Sequence, residues 1–356
     1  MLRAAAIVMV LFSHVLWIYP VNTSTVRLIF ELFGFWGVEL FFVLSGFLIG
    51  TMLYKSYISE TFSISTVLRF LKRRWFRTLP TYYLVLVLNI IIAFFIGYQI
   101  DNVTLYFFFL QNMLHKAPVF FPESWSLSVE EVAYLVLPFA LLIGIASAHK
   151  NKAKRFFVVV LFLFTFFLLA KVFFNYMHTV LNLTDWSAHL KSVVIYRIDA
   201  ILTGVVLAWF RYNFLSFWKR YQLFFLLLSA GIFSFLLFGV PYFNLTIEQV
   251  PFFWNICYLP LTSLGFAFLF PFFSEWNFST AWFKTPIVIT SKISYSIYLV
   301  HYSIILQLLK YFIDTTALSA VERYFLTFFY LVTTFLVSFA LHQVYEKPMM
   351  NLRDKK

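Results

Sequence analysis

The sequence is short of charged residues and of cysteine, and each shortage excludes a class of protein. Asp, Glu, Lys and Arg make up only 12% of the 356 residues, whereas hydrophobic residues make up 62%. A soluble domain carries about 25% charged residues, so a soluble globular protein is excluded. The single cysteine, Cys257, excludes an intramolecular disulfide and a metal site built from cysteines. Most of the protein surface must therefore face lipid.

The apolar residues gather in long runs, as transmembrane helices require. A helix that crosses the hydrocarbon core needs about 20 mostly apolar residues. Runs of this kind predict ten spans, at 4–19, 34–54, 79–99, 130–147, 156–175, 193–211, 222–240, 251–273, 289–312 and 321–344. The segment 103–114 is too short to span, and we expect an interfacial or re-entrant helix there. The sequence thus predicts an all-α, polytopic transmembrane bundle of about ten spans, with residues 1–356 as a single domain and no soluble domain.

The basic residues that give the chain its net charge of +12 lie mostly in short segments between the apolar runs. A cytoplasmic N-terminus places most of them on the cytoplasmic side, and the positive-inside rule then predicts that both termini are cytoplasmic. This cytoplasmic group includes Arg3, the cluster 69–77, the segment 150–155 and the C-terminal residues Arg353, Lys355 and Lys356. The same distribution argues against a nucleic acid partner. No cleavable signal peptide is evident, and we expect an integral protein of a bacterial cytoplasmic membrane.

Several ionisable residues fall inside the predicted spans, where a charge is costly unless it is paired or faces a cavity. They are His14, Glu39, Glu130, Glu131, Arg197, Asp199 and His301. His14 follows Arg3 by 11 residues, roughly 16 Å along a helix and so near the bilayer middle. His301 is expected at a similar depth, the carboxylates and Arg197 in the outer half, and the cluster 69–77 at the cytoplasmic face. A basic inner mouth, a central imidazole and an acidic outer vestibule would suit transfer of a group across the membrane.

Each of these residues also has a purely structural explanation. A histidine within the membrane can serve only as a hydrogen-bond partner between helices, and the tyrosines around His301 favour that role for it. Arg197 paired with a carboxylate can fix the register of two helices. The cluster 69–77 can act only as a positive-inside signal. No single residue therefore decides the function.

The order of local motifs is more specific than any one residue. Along the chain the motifs are LRAAA (2–6), LFSH (11–14), FWGVELFFVLSGFLI (35–49), RRWFRTLP (73–80), WSLSVEE (125–131), YRIDA (196–200), ISYSIYLVH (293–301) and EKP (346–348). Together they resemble the acyltransferase 3 family of membrane O-acyltransferases, and the resemblance covers essentially the whole chain. It is specific for the family and much less so for the substrate.

The resemblance implies ten transmembrane helices, a cytoplasmic acyl-CoA donor and an acceptor hydroxyl that is commonly on a sugar. The donor, most often acetyl-CoA, is a co-substrate, and no bound cofactor or metal is implied. The family's pattern of arginine, ten residues and histidine falls on Arg3 and His14, and its Arg-x-x-Arg pattern, implicated in donor handling, falls on Arg74 and Arg77. Members usually carry more residues and an Asp-Gly pair before the first arginine, so we expect a clipped or unusually short start.

Elementary chemistry agrees with these assignments. A sugar hydroxyl becomes a good nucleophile when a base takes its proton, and a histidine in an apolar span stays neutral and available for this. Arginine forks suit the phosphates of the donor, and a glycine would let the pantetheine arm pass close to the backbone. The predicted site is His14 and Glu130 for catalysis; Arg3, Arg74, Arg77 and Gly46 for the donor; and Glu39, Arg197, Asp199 and His301 for the acceptor.

We therefore expect an O-acyltransferase that moves an acetyl or similar short acyl group from acyl-CoA to a lipid-linked or polymeric glycan at the outer face. Direct attack and an acyl-histidine intermediate are both open routes. A secondary transporter or flippase is the alternative from another class, since charges within the membrane would serve it too. Repeated halves and paired broken helices, which transporters often show, are not evident in a sequence with only 10 glycines. A family member without turnover is a third possibility.

Overall fold

The computed structural model describes residues 1–20, 25–59, 61–116, 119–146, 151–276 and 281–352. Within these ranges the chain is helical and contains no strand. The predicted all-α class is therefore confirmed. Lys150, Arg353, Lys355 and Lys356, which the orientation argument uses, and the predicted span end at 147 lie outside the described residues.

The α-helices are numbered in chain order. They are α1 Leu2–Val15, α2 Thr25–Ser59, α3 Ile64–Ile96, α4 Val103–Phe107, α5 Ser124–Ile143, α6 Lys152–Met177, α7 Leu183–Trp186, α8 Ile198–Asn213, α9 Leu215–Arg220, α10 Gln222–Ser234, α11 Val240–Tyr242, α12 Leu259–Ala267, α13 Phe270–Glu275, α14 Ala281–Val300, α15 Gln307–Phe312, α16 Ala320–Leu341 and α17 Lys347–Leu352. Wider π-helical turns continue some of them, at Ser187–Lys191, Phe235–Gly239, Phe253–Tyr258, His301–Leu306 and His342–Glu346.

Seven helical stretches in the described part of the chain are long and apolar enough to cross a membrane. They are Val26–Ser59, Ile64–Ile96, Ser124–Ile143, Lys152–Met177, Gln222–Tyr242, Phe253–Glu275 and Ala320–Leu352. The pair Leu183–Lys191 and Val194–Asn213, bent by 94°, makes an eighth if it counts as one span. The prediction of about ten is thus approximate, although each predicted span coincides with a helical stretch. Leu2–Ile18 is shorter than the others, and α14 with its continuation to Phe312 is not among the seven.

Several helices begin well before the predicted spans. α2 starts at Thr25 instead of residue 34, α3 at Ile64 instead of 79, and α5 at Ser124 instead of 130. Hydropathy marks only the part of a helix that lies in the hydrocarbon layer. The helix itself continues for as long as its backbone remains hydrogen-bonded. Arg74 and Arg77 therefore lie inside α3 and not in a loop, and Arg74 is buried. The segment 103–114 forms only the five-residue α4 followed by turns.

The crossing of α2 and α8 depends on two glycines. A Cβ atom on Gly46 would overlap the carbonyl oxygen of Ile201, and one on Gly204 would overlap the carbonyl oxygen of Val43. Small residues allow helix backbones to approach this closely in membranes. Gly46 thus packs directly against α8, and the passage of a pantetheine arm beside it stays a prediction.

Candidate active site

Helix α1 carries the arginine and the histidine of the first motif at its two ends. Arg3 lies in its first turn and His14 in its last, about 16 Å apart along the axis. α1 packs against α2 and α14, and each end of α1 lines a different cavity. We call these the arginine cavity, which contains Arg3, and the histidine cavity, which contains His14.

The arginine cavity has a volume of about 90 Å³ and brings Arg3, Arg74 and Arg77 together. Arg74 is fixed there, because its Nη2 donates to the Tyr134 hydroxyl at 2.6 Å and its guanidinium carbon lies 4.4 Å from the centre of the Tyr134 ring. Three guanidinium groups around one opening form a site for an anion, and phosphate is the anion whose geometry arginine matches best.

Glu130, which the sequence predicted to be catalytic and to lie in the outer half of the membrane, lines the arginine cavity and not the histidine cavity. One of its carboxylate oxygens accepts a hydrogen bond of 2.7 Å from the Tyr134 hydroxyl. The early start of α5 carries Glu130 about 9 Å inward from the helix end. The chain of contacts from Arg74 through Tyr134 to Glu130 aligns the guanidinium. The neighbouring Glu131 is buried and accepts from the Thr78 hydroxyl at 2.8 Å.

The histidine cavity has a volume of about 310 Å³ and places two imidazoles side by side. The ring centre of His14 lies 4.9 Å from that of His301 and 4.7 Å from that of Tyr302. His301 Nδ1 lies 2.8 Å from the carbonyl oxygen of Tyr298. A carbonyl can only accept, so Nδ1 carries the proton and Nε2 is the acceptor. Among the described residues, His301 Nε2 and His14 Nδ1 have no hydrogen-bond partner.

Glu123 is a residue of the histidine cavity that the sequence did not reveal. It lies one residue before α5 and is buried; its Oε1 accepts from the backbone N–H and the hydroxyl of Ser303, at 3.0 and 2.6 Å. Burial raises the pKa of Glu123 to about 7. Its Oε2 has no partner among the described residues. The side chain can therefore carry or release a proton near neutral pH.

The arginine and histidine cavities meet at Val38 and Tyr298, the two residues that line both. Tyr298 is held in place from two directions, since its hydroxyl lies 2.6 Å from the Ser126 hydroxyl and donates to the carbonyl oxygen of Glu123 at 3.0 Å. Val38 and Tyr298 therefore form the wall that separates the arginines from the imidazoles.

The family model of the acyltransferase domain, acyltransferase 3, matches residues 1–343. The chain belongs to the acyltransferase 3 family. Membership supports acyltransferase activity in a membrane and confirms the resemblance of the motifs. Neither the curated proteins nor the solved structures include a significant match to the chain.

In this acyltransferase, three residues predicted to bind the acceptor are paired with other charges and line neither cavity. Arg197 forms an ion pair with Glu39, which also accepts from the Ser263 hydroxyl, and Asp199 forms an ion pair with Lys171. All five side chains are buried. These pairs tie α2, α6, α8 and α12 together, and acceptor binding by Glu39, Arg197 and Asp199 stays a prediction. The pairing of opposite charges explains why these residues are tolerated within the membrane.

Of the other predicted residues, His14 and His301 come together in one cavity, and Arg3, Arg74 and Arg77 come together in the other. Among the described residues, no group of three or more His, Cys, Asp or Glu side chains could hold a metal ion. The arrangement therefore places three guanidinium groups, which can bind an anion, on one side of the wall at Val38 and Tyr298. On the other side it places an imidazole that can act as a base.

Proposed function

We propose that the protein is an O-acyltransferase that moves an acetyl or similar short acyl group from acyl-CoA to a hydroxyl of a glycan. The observation that supports this best is the contact of the two cavities across Val38 and Tyr298. Acyl-CoA joins a phosphate-rich carrier to a reactive thioester. A cluster of arginines beside a cavity with a free imidazole offers a place to each part.

In the proposed reaction the phosphates of CoA lie against Arg3, Arg74 and Arg77, and the acyl end of the pantetheine arm reaches the wall at Val38. The acceptor hydroxyl in the histidine cavity gives its proton to His14 while its oxygen attacks the thioester carbonyl. The C–O bond forms, the C–S bond breaks, and the CoA thiolate takes up the proton. Glu130 acts as a positioning residue for Arg74 through Tyr134.

In this proposal the two cavities face opposite sides of the membrane. The arginine cavity opens toward the cytoplasm, where acyl-CoA is available, and both termini lie on that side of a bacterial cytoplasmic membrane. The histidine cavity receives the glycan from the outer face. The distribution of Lys and Arg along the chain supports this orientation.

Mass spectrometry of surface glycans tests the proposal. Cells that contain the protein should carry glycans with the added mass of an acyl group, and cells that lack it should not. His14→Asn should fail to restore that mass, because a general base contributes about 10²- to 10⁴-fold to a rate. The matched control is His189→Asn, whose ring lies beside Asp185 and not in either cavity. Full restoration by His14→Asn in a correctly inserted protein would overturn the assignment.

A further inference from the structure

The wall between the arginine and histidine cavities consists of one apolar and one polar side chain. Val38 and Tyr298 are the two residues that line both cavities, and of these only Tyr298 carries a polar group. The Phe41 ring, which also lines the arginine cavity, packs against the Tyr298 ring with 6.2 Å between the ring centres. In the proposed function the thioester carbonyl reaches this wall. The Tyr298 hydroxyl is therefore the polar group that the carbonyl meets there.

Attack on a thioester places a negative charge on the carbonyl oxygen. When the acceptor oxygen forms the new C–O bond, the π electrons of the C=O bond move to this oxygen and make it an oxyanion. An unpaired charge is very costly in apolar surroundings, and a hydrogen-bond donor already in position for it is often the largest single contribution to catalysis. Arg3, Arg74 and Arg77 hold the phosphates in the proposed reaction, so another group has to supply this donor.

The Tyr298 hydroxyl belongs to a buried group of three oxygen atoms that share two hydroxyl hydrogens. Its oxygen lies 2.6 Å from Ser126 Oγ and 3.0 Å from the carbonyl oxygen of Glu123. Ser126 Oγ lies 3.4 Å from the same carbonyl oxygen, and all three residues are buried. A hydroxyl can donate one hydrogen bond and accept others, whereas a carbonyl only accepts. Two arrangements of the hydrogens are therefore open to this group.

The two arrangements differ in which hydroxyl donates to the Glu123 carbonyl. In the first, Ser126 donates to Tyr298 and Tyr298 donates to the carbonyl. In the second, Ser126 turns to the carbonyl and the Tyr298 hydrogen is free for a ligand at the wall. The carbonyl keeps a partner in both, which matters because a buried acceptor without a partner is costly. Rotation of the two hydroxyls thus frees a donor and leaves the carbonyl paired.

We propose that Tyr298 is a catalytic residue whose hydroxyl donates a hydrogen bond to the oxyanion, and that Ser126 is the positioning residue that frees it to do so. The inference rests on the proposed function, since it needs a thioester at the wall. Tyr298 keeps its proton throughout. His14 takes the proton of the acceptor hydroxyl, the oxyanion re-forms the C=O bond as the C–S bond breaks, and the CoA thiolate receives the proton.

Rates of acyl transfer from acetyl-CoA to surface glycan purified from cells that lack the protein test this role. Tyr298→Phe should lower kcat by about 10²- to 10³-fold and leave the Kd of CoA within about twofold. Ser126→Ala should lower kcat by about tenfold, because Tyr298 must then leave the Glu123 carbonyl unpaired in order to donate. The matched control is Tyr82→Phe, which should keep the kcat of the parent protein. It removes a buried hydroxyl that donates to the carbonyl oxygen of Tyr106 at 2.9 Å and lines neither cavity.

A second measurement needs no turnover and compares two CoA thioethers that carry a ketone in place of the thioester. The carbonyl of acetonyl-CoA stays planar, whereas that of trifluoroacetonyl-CoA adds water and becomes tetrahedral, like the intermediate. The parent protein should bind the trifluoro ketone about tenfold or more tightly than the plain ketone, the value of one strong hydrogen bond. Tyr298→Phe should bind the two ketones about equally, and Tyr82→Phe should keep the preference.

Two results would overturn the inference: transfer at the parent rate by a folded Tyr298→Phe protein, or equal binding of the two ketones by the parent protein. If Tyr298→Phe does not fold, Ser126→Ala and the parent protein's choice between the ketones still decide. Transfer that depends on His14 but not on Tyr298 would contradict this inference alone. A preference for the trifluoro ketone that depends on Tyr298, in a protein that transfers no acyl group to surface glycan, would contradict the proposed function alone.

Discussion

Replacing Glu39 by glutamine would leave the guanidinium of Arg197 without its counter-ion at a position that is completely buried. Removing one partner of a buried ion pair costs about 3–5 kcal/mol, because the remaining charge is desolvated and unpaired. Two Arg197 nitrogens, Nε and Nη1, already have no partner among the described residues, so little remains to stabilise the charge. We expect Glu39→Gln to lower the free energy of unfolding by an amount in this range.

Thermal unfolding of detergent-solubilised protein, followed by size-exclusion chromatography, measures the effect. Lys219→Gln is the matched control, since Lys219 lies 3.9 Å from Glu275 and is 58% exposed; such surface pairs contribute about 0–1 kcal/mol. The double variant Glu39→Leu/Arg197→Met removes both charges and should recover much of the lost stability.

The same variants decide between a structural role and acceptor binding for Glu39. The pairing predicts that the folded fraction of Glu39→Gln keeps the acceptor KM of the parent protein. A variant that is as stable as the parent but shows a raised acceptor KM would refute the structural assignment and return Glu39 to the acceptor site.

Gly46→Ala should destabilise the protein by about 1–3 kcal/mol through overpacking against α8, whereas Gly231→Ala, with no atom near its Cβ position, should be neutral or slightly stabilising in the same unfolding assay. Arg74→Lys should raise the KM for acyl-CoA about tenfold or more, because it loses both the fork and the bond to Tyr134; unchanged donor kinetics would contradict the arginine cavity as donor site. Burial raises the pKa of Glu123 from 4.5 to about 7, so the folded protein binds more protons than the unfolded chain between about pH 5 and 7, and stability should fall as pH rises through this range. Glu123→Gln should flatten that fall, and an identical pH profile would contradict the protonation assigned to Glu123.

The sequence predicted the helices well because a bilayer leaves the backbone few choices. Every backbone N–H and C=O within hydrocarbon needs an internal partner, so a long apolar run must become a helix. Helix ends were harder to predict, as the early start of α5 at Ser124 shows. That shift carries Glu130 from the expected outer half of the membrane to the arginines, and it places Glu123 beside a helix where the sequence predicted none.

The partners of charged residues could not be predicted from the sequence, because they are distant along the chain. Glu39 meets Arg197 and Ser263, which lie 158 and 224 residues away. A charge in a predicted span indicates either a partner or a cavity, and only the structure shows that Glu39 has the first and His14 the second.

If the arginine and histidine cavities form one reaction path, acyl groups must pass the wall at Val38 and Tyr298. The rate of acyl transfer by Val38→Phe, measured together with its affinity for CoA, tests this most directly. A larger side chain at the wall should keep CoA affinity within about twofold and reduce transfer by about a hundredfold or more, since misplacement of about 1 Å can cost that much. Val38→Ala, whose smaller side chain does not narrow the passage between the two cavities, should retain transfer. Unchanged transfer by a folded Val38→Phe protein would mean that donor and acceptor meet elsewhere.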